Sequence, residues 1–110
     1  MLATSDLARH ERLLIWRRRA DLNQAQAADY FDITTWAYRQ AENGEGDVPA
    51  VKIGKLAPNE AAVILRRREG MSRTALAKAL DVSPWWLTQM ERGQQDPQRL
   101  IDYWSEVKSR

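Results

Sequence analysis

The chain has 110 residues, 44% of them hydrophobic and 29% charged, with a formal net charge of +2. That is one domain's worth of material, and it excludes a large enzyme with a separate cofactor domain. With no cysteine and a single histidine, His10, disulfide frameworks, Cys-based zinc sites and thiol nucleophiles are excluded and no histidine cluster remains for a metal. No apolar run approaches the ~20 residues that span a bilayer, and the first residues are too polar for a secretory signal, so a soluble intracellular protein with no membrane role is expected.

Helical signals dominate from the first residues onward, so the expected fold class is all-α, with only a weak strand candidate at Val48–Ile53. A helix over about Ser5–Ala20 carries Leu7, Leu13, Leu14 and Trp16 between charges. Asn23 offers a side-chain cap to a second helix reaching about Phe31, and Thr34 caps a third that runs to about Asn43 and closes at Gly44. Further on, Pro58-Asn59 starts a helix that Gly70 ends, Ser72 caps the next, and Ser83-Pro84 combines an N-cap with proline at the first helical position. Gly93 ends that helix and Asp96-Pro97 starts a last one, whose Leu100, Ile101 and Trp104 form an apolar stripe that must be covered. The stretch Val48–Ala57 reads as a brief helix or a linker.

These signals repeat. Arg17-Arg18-Arg19 and Arg66-Arg67-Arg68 lie 49 positions apart, and the same offset places Ile15 on Ile64, Ala28 on Ala77, Asp32 on Asp81, Trp36 on Trp85, Gln40 on Gln89, Glu42 on Glu91 and Gly44 on Gly93. Two copies of one small unit account for this. The organisation expected is a first unit at 1–50, a linker at 51–57 and a second unit with a C-terminal helix at 58–110. Divided after Lys55, the first part carries eight basic and eight acidic residues and the second nine and seven, so an anionic partner should lean on the second part.

The segment Leu22–Gly44, with Gln24-Ala25-Gln26-Ala27-Ala28 and Asp32-Ile33-Thr34-Thr35-Trp36, resembles the helix-turn-helix of lambda-repressor-like proteins, the XRE family. Met71–Gly93 resembles a more divergent member, and together the two matches cover about Leu13 to Pro97. Independently of the family, two short helices joined by a tight turn need a small residue where they approach, which Ala28 and Ala77 supply. The turns hold Asp32 and Asp81 where family members often have glycine; Asp is among the few residues that tolerate positive φ.

The resemblance implies two tandem helix-turn-helix units whose third helices enter the major groove of double-stranded DNA. The outward residues are then Thr35, Trp36, Arg39 and Gln40 in the first unit and Pro84, Trp85, Thr88 and Gln89 in the second, with Trp86 at the rim. Gln pairs well with adenine and Arg with guanine, whereas Trp reads little beyond a thymine methyl. Gln24 stands where the family has a phosphate-holding glutamine, and Arg73 takes that place in the second unit. The residues matching Arg17–Glu42 and Arg66–Glu91 form internal ion pairs in the family, so these four are expected to be structural. Arg18, Arg19, Arg67 and Arg68 are either solvated or backbone contacts, Trp16 and Trp104 core or interface, and His10 a surface residue.

The function implied is a sequence-specific transcriptional regulator, most like small repressors of phages and mobile elements. It would act in the cytoplasm at the nucleoid of a bacterium or phage-infected host. Dimerisation through Leu100, Ile101, Tyr103 and Trp104 is one route to two half-sites, and a single chain acting as a pseudo-dimer is the other. The rival reading is a protein-interaction module, antitoxin-like or inhibitory, for which the paired Trp36 and Trp85 would be anchors. No catalytic arrangement, phosphate-cradling loop or metal spacing is present, so neither an enzyme nor a cofactor is expected.

Overall fold

The computed structural model describes residues 2–108 and is all-helical there. A single 3-10 turn, Thr4–Asp6, precedes seven helices: α1 Arg9–Arg19, α2 Gln24–Tyr30, α3 Thr35–Glu42, α4 Pro58–Arg68, α5 Arg73–Leu80, α6 Pro84–Glu91 and α7 Gln98–Lys108. They form two compact units, Thr4–Lys55 and Leu56–Arg110, with Met1–Ala3 grouped with the latter. None of the helices is long and apolar enough to cross a membrane.

Local chemistry sets the helix starts. The Asn23 side chain accepts from the Gln26 amide at 2.8 Å, while Gln26 Oε1 accepts from the Asn23 amide, a reciprocal capping box. The Thr34, Ser72 and Ser83 hydroxyl oxygens accept from the amides of Ala37, Ala75 and Trp86. Proline opens α4 and α6, where its missing N–H leaves no bond unmade. Glu11 and Glu60 each bond back to the amide three residues before them, at Ala8 and Ala57, so the 49-residue correspondence extends upstream of the arginine triplets.

The tight turns rest on the left-handed conformation. Asp32 and Asp81 have φ of 55° and 57°, which lets Ile33 and Val82 donate their amides to the carbonyls of Ala28 and Ala77. Asp21 adopts the same conformation at the end of α1, where the second unit has Gly70. For a β-branched side chain this conformation is costly, so Asp81→Val is expected to lower the unfolding free energy by about 1–2 kcal/mol, with Asp81→Gly no less stable than the parent. Equal urea midpoints for the two variants would show that backbone strain at this turn is negligible.

In the first unit, Leu13, Ala27, Ala28, Tyr38 and Ala41 form the buried core, flanked by Trp16, Leu22, Phe31, Ile33, Val48 and Val51. The stretch 48–57 is neither helix nor strand. Its first part is strapped to the first unit. Val48 and Val51 pack on the core, Arg19 donates to the carbonyls of Ile53 and Lys55, and Thr4 Oγ1 donates to the Gly54 carbonyl at 2.5 Å. Arg19, exposed at the end of α1, thus also braces this strap. Ile53 and Leu56 are buried, so the segment assigned to a linker carries packing residues of its own.

The second unit replaces the strap with a helix. Asp96 Oδ1 accepts from the Gln98 amide to start α7, which packs on α4 and α5. Leu100 and Trp104 of α7 are buried, beside a core that includes Ala61, Ala62, Ile64, Leu76, Ala77, Leu87 and Met90. This corrects the expected dimer surface: Leu100 and Trp104 are covered within the chain, and of the four residues expected there only Ile101 and Tyr103 keep partial exposure. One short unit was enough to bury the stripe because α4, α5 and α7 share it.

Candidate nucleic-acid interface

Each unit is closed by a buried glutamate at the end of its third helix. In the first unit Arg17 Nε donates to Glu42 Oε2 at 2.5 Å and Arg17 Nη2 to Oε1 at 3.2 Å, while Nη1 reaches the Leu22 carbonyl. Gln24 Nε2 donates to Glu42 Oε1 at 3.0 Å and the buried Tyr38 hydroxyl to Oε2 at 2.8 Å. Burial, reinforced by the neighbouring carboxylate, pushes the Tyr38 phenol well above its ordinary pKa of 10.0, so it stays a donor. The bidentate fork and the extra donors satisfy a carboxylate that would otherwise be expensive to bury.

The second unit repeats this closure with two exchanges. Arg66 Nε donates to Glu91 Oε2 at 2.7 Å and Nη2 to Oε1 at 3.4 Å, while Nη1 reaches the Met71 carbonyl. Leu87 stands where Tyr38 does, and Arg73 takes the place of Gln24, donating to Glu91 Oε1 at 3.2 Å. Each closure ties the end of one helix to the end of another, holding the third helix in a fixed attitude.

The outward residues of α3 and α6 differ in readiness. Trp36 is 71% exposed, Trp85 61% and Trp86 39%, with the rings of Trp85 and Trp86 6.1 Å apart. Arg39 and Pro84 are exposed, and Thr35, Gln40, Thr88 and Gln89 are half-buried. The Thr88 hydroxyl donates to the Pro84 carbonyl at 3.0 Å, which leaves it only as an acceptor toward a ligand. Gln24 is engaged at both ends of its amide, giving to Glu42 and accepting from Arg39 Nε at 3.1 Å. It therefore positions Arg39, in addition to any contact of its own. Arg73 keeps 47% of its side chain exposed beside Glu91.

Some positions come into view only in three dimensions. The His10 ring lies under Gly44, whose φ is +83°; a Cβ there would meet His10 Nδ1 at 3.2 Å. Asn59, at the matching place in the second unit, lies under Gly93 and donates to the Glu91 carbonyl at 3.0 Å. His10 thus packs against the end of the third helix and is not a bystander on the surface. Tyr30, exposed at the end of α2, makes an edge contact with Phe31, and both rings lie 5.0 Å from Trp16. Among the described residues, no group of three or more His, Asp or Glu is placed to hold a metal ion.

No curated protein and no solved structure matches the chain. Residues 64–102, from within α4 to the first turns of α7, match the family described as a helix-turn-helix domain.

Proposed function

We propose that the chain is a sequence-specific double-stranded-DNA-binding transcription regulator of the repressor type, in which both units act as lambda-repressor-like helix-turn-helix modules. The observation that carries this reading is the shared construction of α2–α3 and α5–α6. In each, a capped third helix follows a tight turn, is fixed by a buried Arg–Glu closure, and presents its early residues outward. In helix-turn-helix proteins that helix enters the major groove while the helix before it crosses the backbone. Arg39 and Gln40 in the first unit and Gln89 in the second are the side chains with base-reading chemistry.

A second reading is favoured by one specific observation, the exposure of Trp36 and Trp85 at matching positions. Large exposed aromatics are common anchors of protein interfaces, and a repurposed helix-turn-helix surface would dock a protein partner through them. Salt dependence separates the two readings, since each phosphate neutralised on DNA releases counterions and steepens the fall of affinity with salt. Selection from a pool of random duplexes at two salt concentrations is expected to enrich a motif with steep salt dependence. Weak retention, insensitive to salt and without a motif, would reject the DNA reading in favour of the protein partner.

A further inference from the structure

The two units carry the same closure, but a further arginine beside it sits in different places. At the paired positions 24 and 73 the residues are Gln24 and Arg73; at the paired positions 39 and 88 they are Arg39 and Thr88. The first unit therefore has its extra guanidinium on the third helix, and the second has it at the start of the helix before. Each is tethered through Nε, Arg39 to Gln24 Oε1 and Arg73 to Glu91 Oε1. These bonds use Nε and do not involve the terminal Nη1 and Nη2 groups of either residue.

A guanidinium held at Nε turns its two terminal amino groups outward as a fork, the part that matches either the O6 and N7 pair of guanine or two phosphate oxygens. Which of these it meets depends on the helix that carries it. Arg39 is exposed on α3, the helix that faces base edges in this architecture. Arg73 belongs to α5, the helix that crosses the backbone, and α6 has no charged residue at the position matching Arg39 because Thr88 stands there, bonded to the Pro84 carbonyl.

We propose, resting on the DNA-binding reading above, that the two units divide the work on DNA: the first unit specifies a guanine through Arg39, and the second anchors on phosphate through Arg73 and is the more sequence-tolerant of the two. Gln24 is a positioning residue for Arg39, linking it to Glu42. The site recognised is then asymmetric, with one half strongly specified and the other held mainly by its backbone.

The repeat supplies its own matched controls. Arg39→Thr installs the second unit's residue in the first, and Arg73→Gln installs the first unit's residue in the second; each removes one positive charge. Binding-site selection from random duplexes, followed by affinity measurements across salt, is run on the parent and both variants. Arg39→Thr is expected to flatten preference at one guanine by roughly 5- to 150-fold while the rest of the motif persists. Arg73→Gln is expected to weaken all sequences by a common factor, leave the motif intact, and make the log–log salt slope shallower by about 1. Circular dichroism of each variant guards against unfolding, and Gln24→Ala, which keeps both charges, should blunt the same guanine preference without changing the salt slope. An unchanged motif in Arg39→Thr, or a motif reshaped by Arg73→Gln, overturns the division of labour while leaving DNA binding in place. Failure of the parent to select any motif overturns the DNA reading itself.

Discussion

Glu42→Ala is expected to lower the unfolding free energy of the first unit by about 3–5 kcal/mol, the usual cost of stripping a buried charge of its partner. Glu42 is almost fully buried and accepts from Arg17, Gln24 and Tyr38, so its loss leaves a largely buried guanidinium and a buried phenol without their shared acceptor. A unit the size of Thr4–Lys55 holds only about 3–8 kcal/mol in all, so the substitution brings it to the edge of unfolding. Amide hydrogen exchange reads this unit by unit. Ala27 and Ala28 should lose protection in the variant while Leu76 and Ala77 keep theirs. The double substitution Arg17→Met with Glu42→Leu should recover most of the loss, since it removes both charges together. If the double variant is as unstable as the single one, the cost lies in packing or in the orphaned Tyr38 hydroxyl and not in the orphaned charge.

Trp104→Ala is expected to cost about 3–5 kcal/mol in the second unit, because the side chain is only 2% exposed within the α7 stripe and its removal opens a large cavity. Trp104→Phe should behave very differently. The Trp104 indole N–H is buried with no acceptor among the described residues. A buried donor left unsatisfied costs about 1–3 kcal/mol, which Phe removes, offsetting part of the packing that the smaller ring gives up. The Phe variant should therefore stay within about 1.5 kcal/mol of the parent, a volume-tolerant swap. Urea titration of the two variants decides the point. A Phe variant as unstable as the Ala one would mean that the N–H has a partner in solution, with ordered water as the candidate.

These two residues also show what kind of information a sequence holds. The helix starts were legible because capping is local: a hydroxyl or amide side chain meets an amide two or three residues on, as Asn23, Thr34, Ser72 and Ser83 do. The left-handed Asp32 and Asp81 were legible for the same reason, since a tight turn and a tolerant residue type coincide at one position. Glu42 and Arg17, 25 residues apart, share no local pattern, and their partnership came from resemblance to a family. Asp21 stands where the other unit has Gly70, so the repeat itself carries the signal for its left-handed conformation.

The contacts of His10, Arg19 and Arg39 had no such signal. Arg19 sits in a triplet of identical residues, yet it reaches the carbonyls of Ile53 and Lys55 while Arg17 turns to Glu42. His10 is one polar residue on a polar helix until the end of α3 is laid against it. Arg39 was legible as an outward residue of the third helix, but its tether was not: Gln24, bonded to Glu42, holds its Nε.

The all-helical class, the capped helix boundaries, the tight turns and the 49-residue correspondence were thus determined by the sequence alone, because each depends on residues a few positions apart or on comparison of the chain with itself. The tertiary structure decided which face of α7 is covered, how the strap at 48–55 is held, and which guanidinium points outward from which helix. Those outcomes depend on side-chain direction and on partners distant in the chain, where one residue type is compatible with burial, bracing or exposure and only packing selects among them.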